Sequence, residues 1–347
     1  MKVMNLNSMR ETYSTQMKYS ILFEMGLGIA AYTYYDFHHT LEKPTGYWED
    51  IKNDLPSIVQ KELDYAHKYN TWFALLQLLH SNQFDSLQNF IEFFYQLPES
   101  KVRRCCLPYI GSQHEETRRK ASHKEKDAIA SLMSSCKHHK FFPAYIEYIS
   151  TVDIDVLKKH LEIISEGWYK TVIEPNYTEF TAMLERDVQQ KRALYSTYTS
   201  EEFVKHVTGI DYQPEPSIHQ VLLIPQYVYR PWNVETTLPG VKVFYYPISD
   251  ENVHEIEDPY SPPSALLHGY KALGDETRLK IIKLLTEKDY SLQELTKKLM
   301  IPKSTVHHHL ALLRAAWIVK VHKSRYYIQI ENLNSLQEKL QRFLERK

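Results

Sequence analysis

The segment Lys303-Ser304-Thr305-Val306-His307-His308-His309-Leu310 holds side chains suited to reading a nucleic acid. On a helical wheel, Val306, Leu310 and Leu313 gather on one side with His309 at the margin, while Ser304, His308 and Ala311 point the opposite way, flanked by Thr305 and His307. That second surface is small, polar and free of acid. Its hydroxyls and imidazoles can approach base edges and phosphates in a major groove, so the segment is expected to be a recognition helix. Three adjacent histidines also bring a metal site to mind. Consecutive helical residues diverge by about 100°, however, so they do not converge on one ion, and DNA contact and packing is the expected use.

The cations that would hold phosphates lie nearby. Ile318–His322 and Arg325–Ile330 are alternating β-branched and aromatic runs around the polar turn Lys323-Ser324, which reads as a β-ribbon with its basic residues at the tip. Lys323 and Arg325 would meet the phosphate backbone or a minor groove, and Lys303 would add a phosphate contact at the helix start.

The elements that must position these groups are also legible. Asp275 is a good N-cap for a helix carrying Leu279, Ile282 and Leu285 on one face and stopping near Lys288. Ser291 and Glu294 form a capping-box pair ahead of Leu292, Leu295 and Leu299. Met300-Ile301-Pro302 makes the turn, and the recognition helix runs from there to about Ala315. Charge agrees: residues 264–347 hold 16 Lys and Arg against 8 Asp and Glu, leaving 26 basic and 35 acidic residues of the chain's 42 and 43 for the first 263. A tail of net +8 on a body of net −9 places the polyanion partner, double-stranded DNA, at the tail.

Tyr270-Lys-Ala-Leu-Gly-Asp-Glu-Thr-Arg-Leu-Lys-Ile, the Ser304–Arg314 helix and the ribbon resemble the winged helix-turn-helix of the ArsR family of prokaryotic transcriptional regulators, over roughly residues 264–345. The resemblance implies a homodimer in which the helices before and after the winged motif pair, and a repressor that releases a palindromic operator when an inducer binds. Matching apolar residues are present: Leu266 ahead of the motif, and Leu333, Leu336, Leu340 and Phe343 as a helical stripe after it. The alternative is that both stripes pack on this chain's own body. Metal-sensing members carry a cysteine pair where this chain has Ser291–Leu299, and others use histidines in the last helix, where residues 332–347 have none. No metal site and no cofactor is expected.

Other chemistry is sparse. Cys105 and Cys106 lie beside Arg103 and Arg104, which could lower a thiol pKa and, with Cys136, offer a soft-ion or redox site; apolar packing of isolated thiols is the simpler use. Three cysteines make no disulfide framework. There is no phosphate-binding glycine loop, no Gly-x-Ser-x-Gly and no His-Glu-x-x-His, since His114-Glu115 is followed by Glu-Thr-Arg. An enzyme is not expected. The basic run Arg118–Lys126 reads as a solvated helix, with an extra DNA or partner contact as the alternative.

The fold class expected is mainly α with small β elements: a helical N-terminal domain with a small sheet over residues 1–257, a Pro-rich linker at 258–263, and a winged helix-turn-helix domain at 264–347. Amphipathic or apolar segments run over 19–35, 48–69, 72–80, 87–96, 126–136, 156–169, 177–193 and 200–207. Gln220–Pro225, Tyr227–Tyr229 and Val241–Tyr246 are β-type, with Pro239-Gly240 as a turn. The Val221-Leu-Leu-Ile-Pro and Val241-Lys-Val-Phe-Tyr-Tyr-Pro blocks resemble a longer-chain ArsR-like group of Gram-positive bacteria with a helical N-terminal domain. Of the chain's 26 tyrosines, 22 precede residue 264. Tyr32, Tyr34 and Tyr35, or Tyr227, Tyr229 and Trp232, suit an aromatic-lined pocket for a small organic ligand, and equally an ordinary core. A body that serves as a protein-interaction module without a ligand is the alternative. The apolar stretch 21–35 is broken by Glu24 and bounded by Asp36, matching neither signal peptide nor membrane span, so a cytoplasmic protein is expected.

Overall fold

Helix-forming segments dominate both parts of the chain, and the computed structural model describes residues 13–44, 46–253, 260, 262–322 and 324–345. They divide into two compact units, one comprising Met1–His38 with Lys43–Ile248 and the other Ser249–Lys347 with His39–Glu42.

In the first unit, β1 (Ser14–Met17) leads into α1 (Ile21–Thr33), where Ser20 caps by accepting from the Leu22 N–H at 3.3 Å. Apolar residues on every side make α1 a core helix, buried from Leu22 to Thr33. Then follow α2 (Tyr47–Asp54), α3 (Ser57–Tyr69), α4 (Thr71–Leu79), α5 (Leu87–Gln96), α6 (Glu99–Cys106), α7 (Glu115–Ser122), α8 (Lys126–Ser135), α9 (Phe142–Thr151), α10 (Ile154–Trp168), α11 (Tyr177–Leu194) and α12 (Ser200–Thr208). Helices α3, α4 and α10 pack on α1. Thr199 and Glu202 close a capping box at α12.

A sheet of order β1-β2-β4-β3 completes this unit, with β2 (Gln220–Gln226), β3 (Val234–Leu238) and β4 (Val241–Pro247). Strands β1, β2 and β4 are parallel, and β3 pairs antiparallel with β4. The turn at Pro239-Gly240 joins that hairpin. Gly240 has φ +78°, a backbone conformation that favours glycine, and a Cβ there would also push against the exposed His219 ring.

Two expectations for this unit need correction. Tyr227–Tyr229 is a turn, because its donors are taken by side chains: the Tyr227 N–H bonds the buried Glu24 carboxylate at 2.9 Å and the Tyr229 N–H bonds Gln226 Oε1 at 2.7 Å. The basic run at 118–126 is not uniformly solvated. Arg118 is buried, and its guanidinium binds the Leu107 carbonyl at 2.9 Å, the Arg104 carbonyl at 2.6 Å and Glu115 at 2.8 Å. All three cysteines are free; burial pushes the Cys106 thiol up despite Arg103 and Arg118 nearby, and burial alone pushes the Cys136 thiol up.

The second unit contains α13 (Ser264–Leu273), α14 (Glu276–Leu285), β5 (Tyr290–Ser291), α15 (Leu292–Leu299), α16 (Lys303–Ala315), β6 (Val319–His322), β7 (Arg325–Ile328) and α17 (Ile330–Glu345). The order is four helices, with the short β5 between the second and third, then a ribbon and a closing helix, around one apolar centre. Ile281, Ile282, Leu285, Leu295, Val306, Leu310, Leu313, Ile318 and Leu336 are buried there. Leu279, expected on the buried face, is half exposed; Arg278 takes that side of the first turn, binding back to the Ala272 and Lys271 carbonyls at 2.7 and 2.9 Å. Of the expected linker, Asp258, Pro259 and Ser261 lie outside the described residues.

Candidate nucleic-acid interface

Local chemistry sets each helix of the reading head. Asp275 accepts the Arg278 N–H at 2.9 Å, which starts α14 and holds the Asp275 carboxyl below its ordinary range, chiefly through that backbone bond. Ser291 and Glu294 form the reciprocal capping box of α15, at 3.3 and 2.7 Å. Met300 ends α15 in the left-handed region at φ +55° and turns the chain toward Pro302, the N-cap of α16.

Helix α16 separates two faces. Val306, Leu310 and Leu313 are buried, anchoring the helix to α14 and α15. Lys303, Ser304, His307 and His308 are exposed, with Thr305 partly buried between them. His309 sits at the margin, 3.6 Å from the Asp275 carboxylate, and burial pushes its pKa down. The helix carries no acidic residue. Its outer face therefore offers hydroxyl and imidazole groups and one ammonium, without a charge that would repel phosphate.

The ribbon follows directly. Val321 faces Tyr326 and His322 faces Arg325 across β6 and β7, leaving a two-residue turn in which Ser324 adopts φ +63°. Ser324 is exposed; Lys323, expected at the same tip, lies outside the described residues. Strand β7 is central in the order β5-β7-β6, and sequence reasoning missed β5, which is two residues long and overlaps the helix cap. The register pairs Ser291 with Arg325. That brings the Arg325 guanidinium 3.2 Å from Glu294 and 2.5 Å from the Asp289 carbonyl. Arg325 is thus partly engaged as a strut between ribbon and helix α15, although its side chain stays 44% exposed and has N–H groups left for a phosphate.

The apolar residues expected to pair two copies fall into two groups. Leu336 is buried in the domain centre and Leu333 packs against it, so both close α17 onto the head. Gly269 of α13 makes this possible: a Cβ there would lie 2.2 Å from Leu336. Leu266 is buried, and Leu340 and Phe343 are half-buried farther along α17, with Leu344 exposed beside them.

Among the described residues no group of three or more His, Cys, Asp or Glu could hold a metal ion. No described helix is long and apolar enough to cross a membrane.

Known proteins place this head. Residues 275–321 match the family described as "Bacterial regulatory protein, arsR family". An uncharacterised HTH-type transcriptional regulator of Methanocaldococcus jannaschii is 42% identical over 64 residues, which cover 17% of this chain and 72% of that protein. No solved structure matches the chain. With the caps, the turn and the ribbon in the order described, the chain belongs to the arsR family of bacterial regulatory proteins, carrying at its C-terminus the helix-turn-helix of a DNA-binding transcriptional regulator.

Proposed function

We propose that the protein is a homodimeric repressor that reads a palindromic operator through α16 and answers a small organic ligand through its N-terminal unit. The observation that carries this reading is the division of α16 into a buried face of Val306, Leu310 and Leu313 and an exposed acid-free face of Ser304, His307 and His308. Ser304, Thr305, His307 and His308 read base edges, while Lys303, Lys323, Ser324 and Arg325 hold the phosphates. Leu340 and Phe343 pair with a second copy, while Leu266, buried within this chain, and Leu333 and Leu336 support the pairing helices from beneath. A two-fold dimer would present two recognition helices about one DNA turn apart, which makes the site a palindrome. The protein acts in the cytoplasm, on chromosomal DNA.

Recovery of genomic fragments bound to the purified full-length protein tests this. A shared palindrome, lost in a Lys323→Ala/Arg325→Ala variant, is the expected result. Uniform recovery with no shared sequence would overturn operator reading.

A further inference from the structure

A cleft of about 520 Å3 opens at the carboxyl end of β1, in the N-terminal unit. Strands β1, β2 and β4 run parallel, and the turn Lys18-Tyr19-Ser20 carries the chain from β1 into the start of α1. Crevices beyond the carboxyl ends of parallel strands are where open sheets with helical crossovers take ligands, partly because helix N-termini gather there. The volume lies within the range of small-molecule pockets.

The chemistry of the wall points to a charge sign. Lys18 is partly buried, and among the described residues its ammonium has no hydrogen-bond or ion-pair partner; it lies 5.5 Å from the Phe23 ring centroid. Burial lowers its pKa, so in this structure its desolvation goes uncompensated by any acid. Arg192 donates one N–H to the Met17 carbonyl at 2.8 Å, and its other donors have no acceptor among the described residues. Thr181 Oγ1 is enclosed and likewise has no partner. Against these two cations the lining has one acid, Asp85. Phe84 and Tyr177 supply aromatic surface to the wall, with Phe23 buried behind it.

We propose that this cleft binds a small organic anion, a carboxylate or phosphate ester on a flat apolar body. Lys18 and Arg192 take the anionic group, Thr181 adds a hydrogen bond, and the Phe84 and Tyr177 rings cover the body. An anion here would satisfy the partly buried Lys18 ammonium and the enclosed Thr181 hydroxyl, groups for which a hydrogen bond contributes most, while Arg192 adds an exposed donor. The site deepens the ligand-sensing half of the proposed function and rests on that reading for its regulatory consequence.

Calorimetric titration of the full-length protein tests it, with benzoate and phenyl phosphate as anionic probes and benzyl alcohol as the uncharged control. At least one anion should bind and raise the unfolding temperature, while benzyl alcohol should do neither. Lys18→Gln should weaken that binding by about tenfold or more. Lys140→Gln, a cation in a separate cleft beside Tyr34 and Trp72, should leave it unchanged. If Lys18→Gln proves unfolded by circular dichroism, Thr181→Val provides the second variant, expected to weaken binding by a smaller factor. Absence of binding by both anions at millimolar concentration, or equal binding by a folded Lys18→Gln, overturns the site. DNA affinity measured with and without the bound anion separates the two claims. A change supports sensing; binding that leaves DNA affinity unaltered overturns sensing and keeps the site.

Discussion

The two units enclose different things. In the described part of residues 264–345 the buried side chains are apolar, with Tyr290 and Tyr326 the most polar of them. The N-terminal unit instead buries Glu24, Arg103, Arg118, Lys158, Asp187, Lys191 and Arg230. Each of these charges is tied down: Lys158 donates to the Tyr95 and Leu97 carbonyls at 2.9 Å, Lys191 to both Asp187 oxygens at 2.5 and 2.6 Å, and Arg230 to the Ile248 carbonyl at 2.7 Å. The head is held by periodic apolar burial that short-range rules describe; the body adds to its own apolar core hydrogen bonds to buried charges, several of them between residues far apart in the chain. Losing one partner in the body leaves an unsatisfied group in low dielectric, whereas losing a methylene in the head leaves a cavity.

Substitutions can break this contrast in a graded way. Arg103 has no exposed surface and binds the Ile149 and Val152 carbonyls and Glu99. Arg103→Ala should cost about 3–5 kcal/mol, seen as a lowered denaturation midpoint of the body, with no direct effect on the head. Leu310→Ala should cost about 2–5 kcal/mol in the head and remove DNA binding at temperatures where the body stays folded. An equal loss in both units from either substitution would show that they unfold as one.

Titration sharpens the comparison next. Burial, aided by Lys18, depresses the His80 pKa from 6.5 to about 3. The unfolded chain takes up this proton as pH falls through 6.5, while the folded chain resists until about 3. Stability from the neutral imidazole is therefore present above pH 6.5 and lost as pH falls toward 3. His80→Gln should flatten the dependence of the urea midpoint on pH in that window, by an amount on the order of a few kcal/mol. An unchanged slope would mean that the ring is not held neutral.

Smaller effects belong to the head. Gly269→Ala puts a methyl group against Leu336 and should cost about 1–3 kcal/mol while pushing α13 from α17, read as weaker self-association in sedimentation. Arg325→Ala loses an exposed strut to Glu294, about 1 kcal/mol or less in stability, and one phosphate contact. Its DNA affinity should fall on every sequence and its salt slope should flatten by about one.

The contrast also explains what could be read in advance. Asp275, the Ser291–Glu294 box, Pro302 and the spacing of Val306, Leu310 and Leu313 act within a few residues, so the order of the head's helices is legible in the sequence, while α14 ends at Leu285, short of the expected stop near Lys288. Strand β5 and the Arg325 strut depend on register between segments more than 30 residues apart, and no local signal carries that. In the body, Ser14-Thr15-Gln16 has neither apolar alternation nor β-branched density, yet it forms a strand because β2 offers it an edge. The turn at Tyr227 needs Glu24, two hundred residues away. Arg118 looked like surface because burial of an arginine is decided by the carbonyls it meets, here those of Arg104 and Leu107.

The most direct test of the central claim is an anisotropy titration of the full-length protein and its His308→Ala variant on the recovered palindrome and on a scrambled duplex. The wild-type protein should favour the palindrome with two protomers per duplex, and His308→Ala should lose this preference while keeping its affinity for the scrambled sequence. Equal binding of both duplexes by the wild-type protein would contradict the claim.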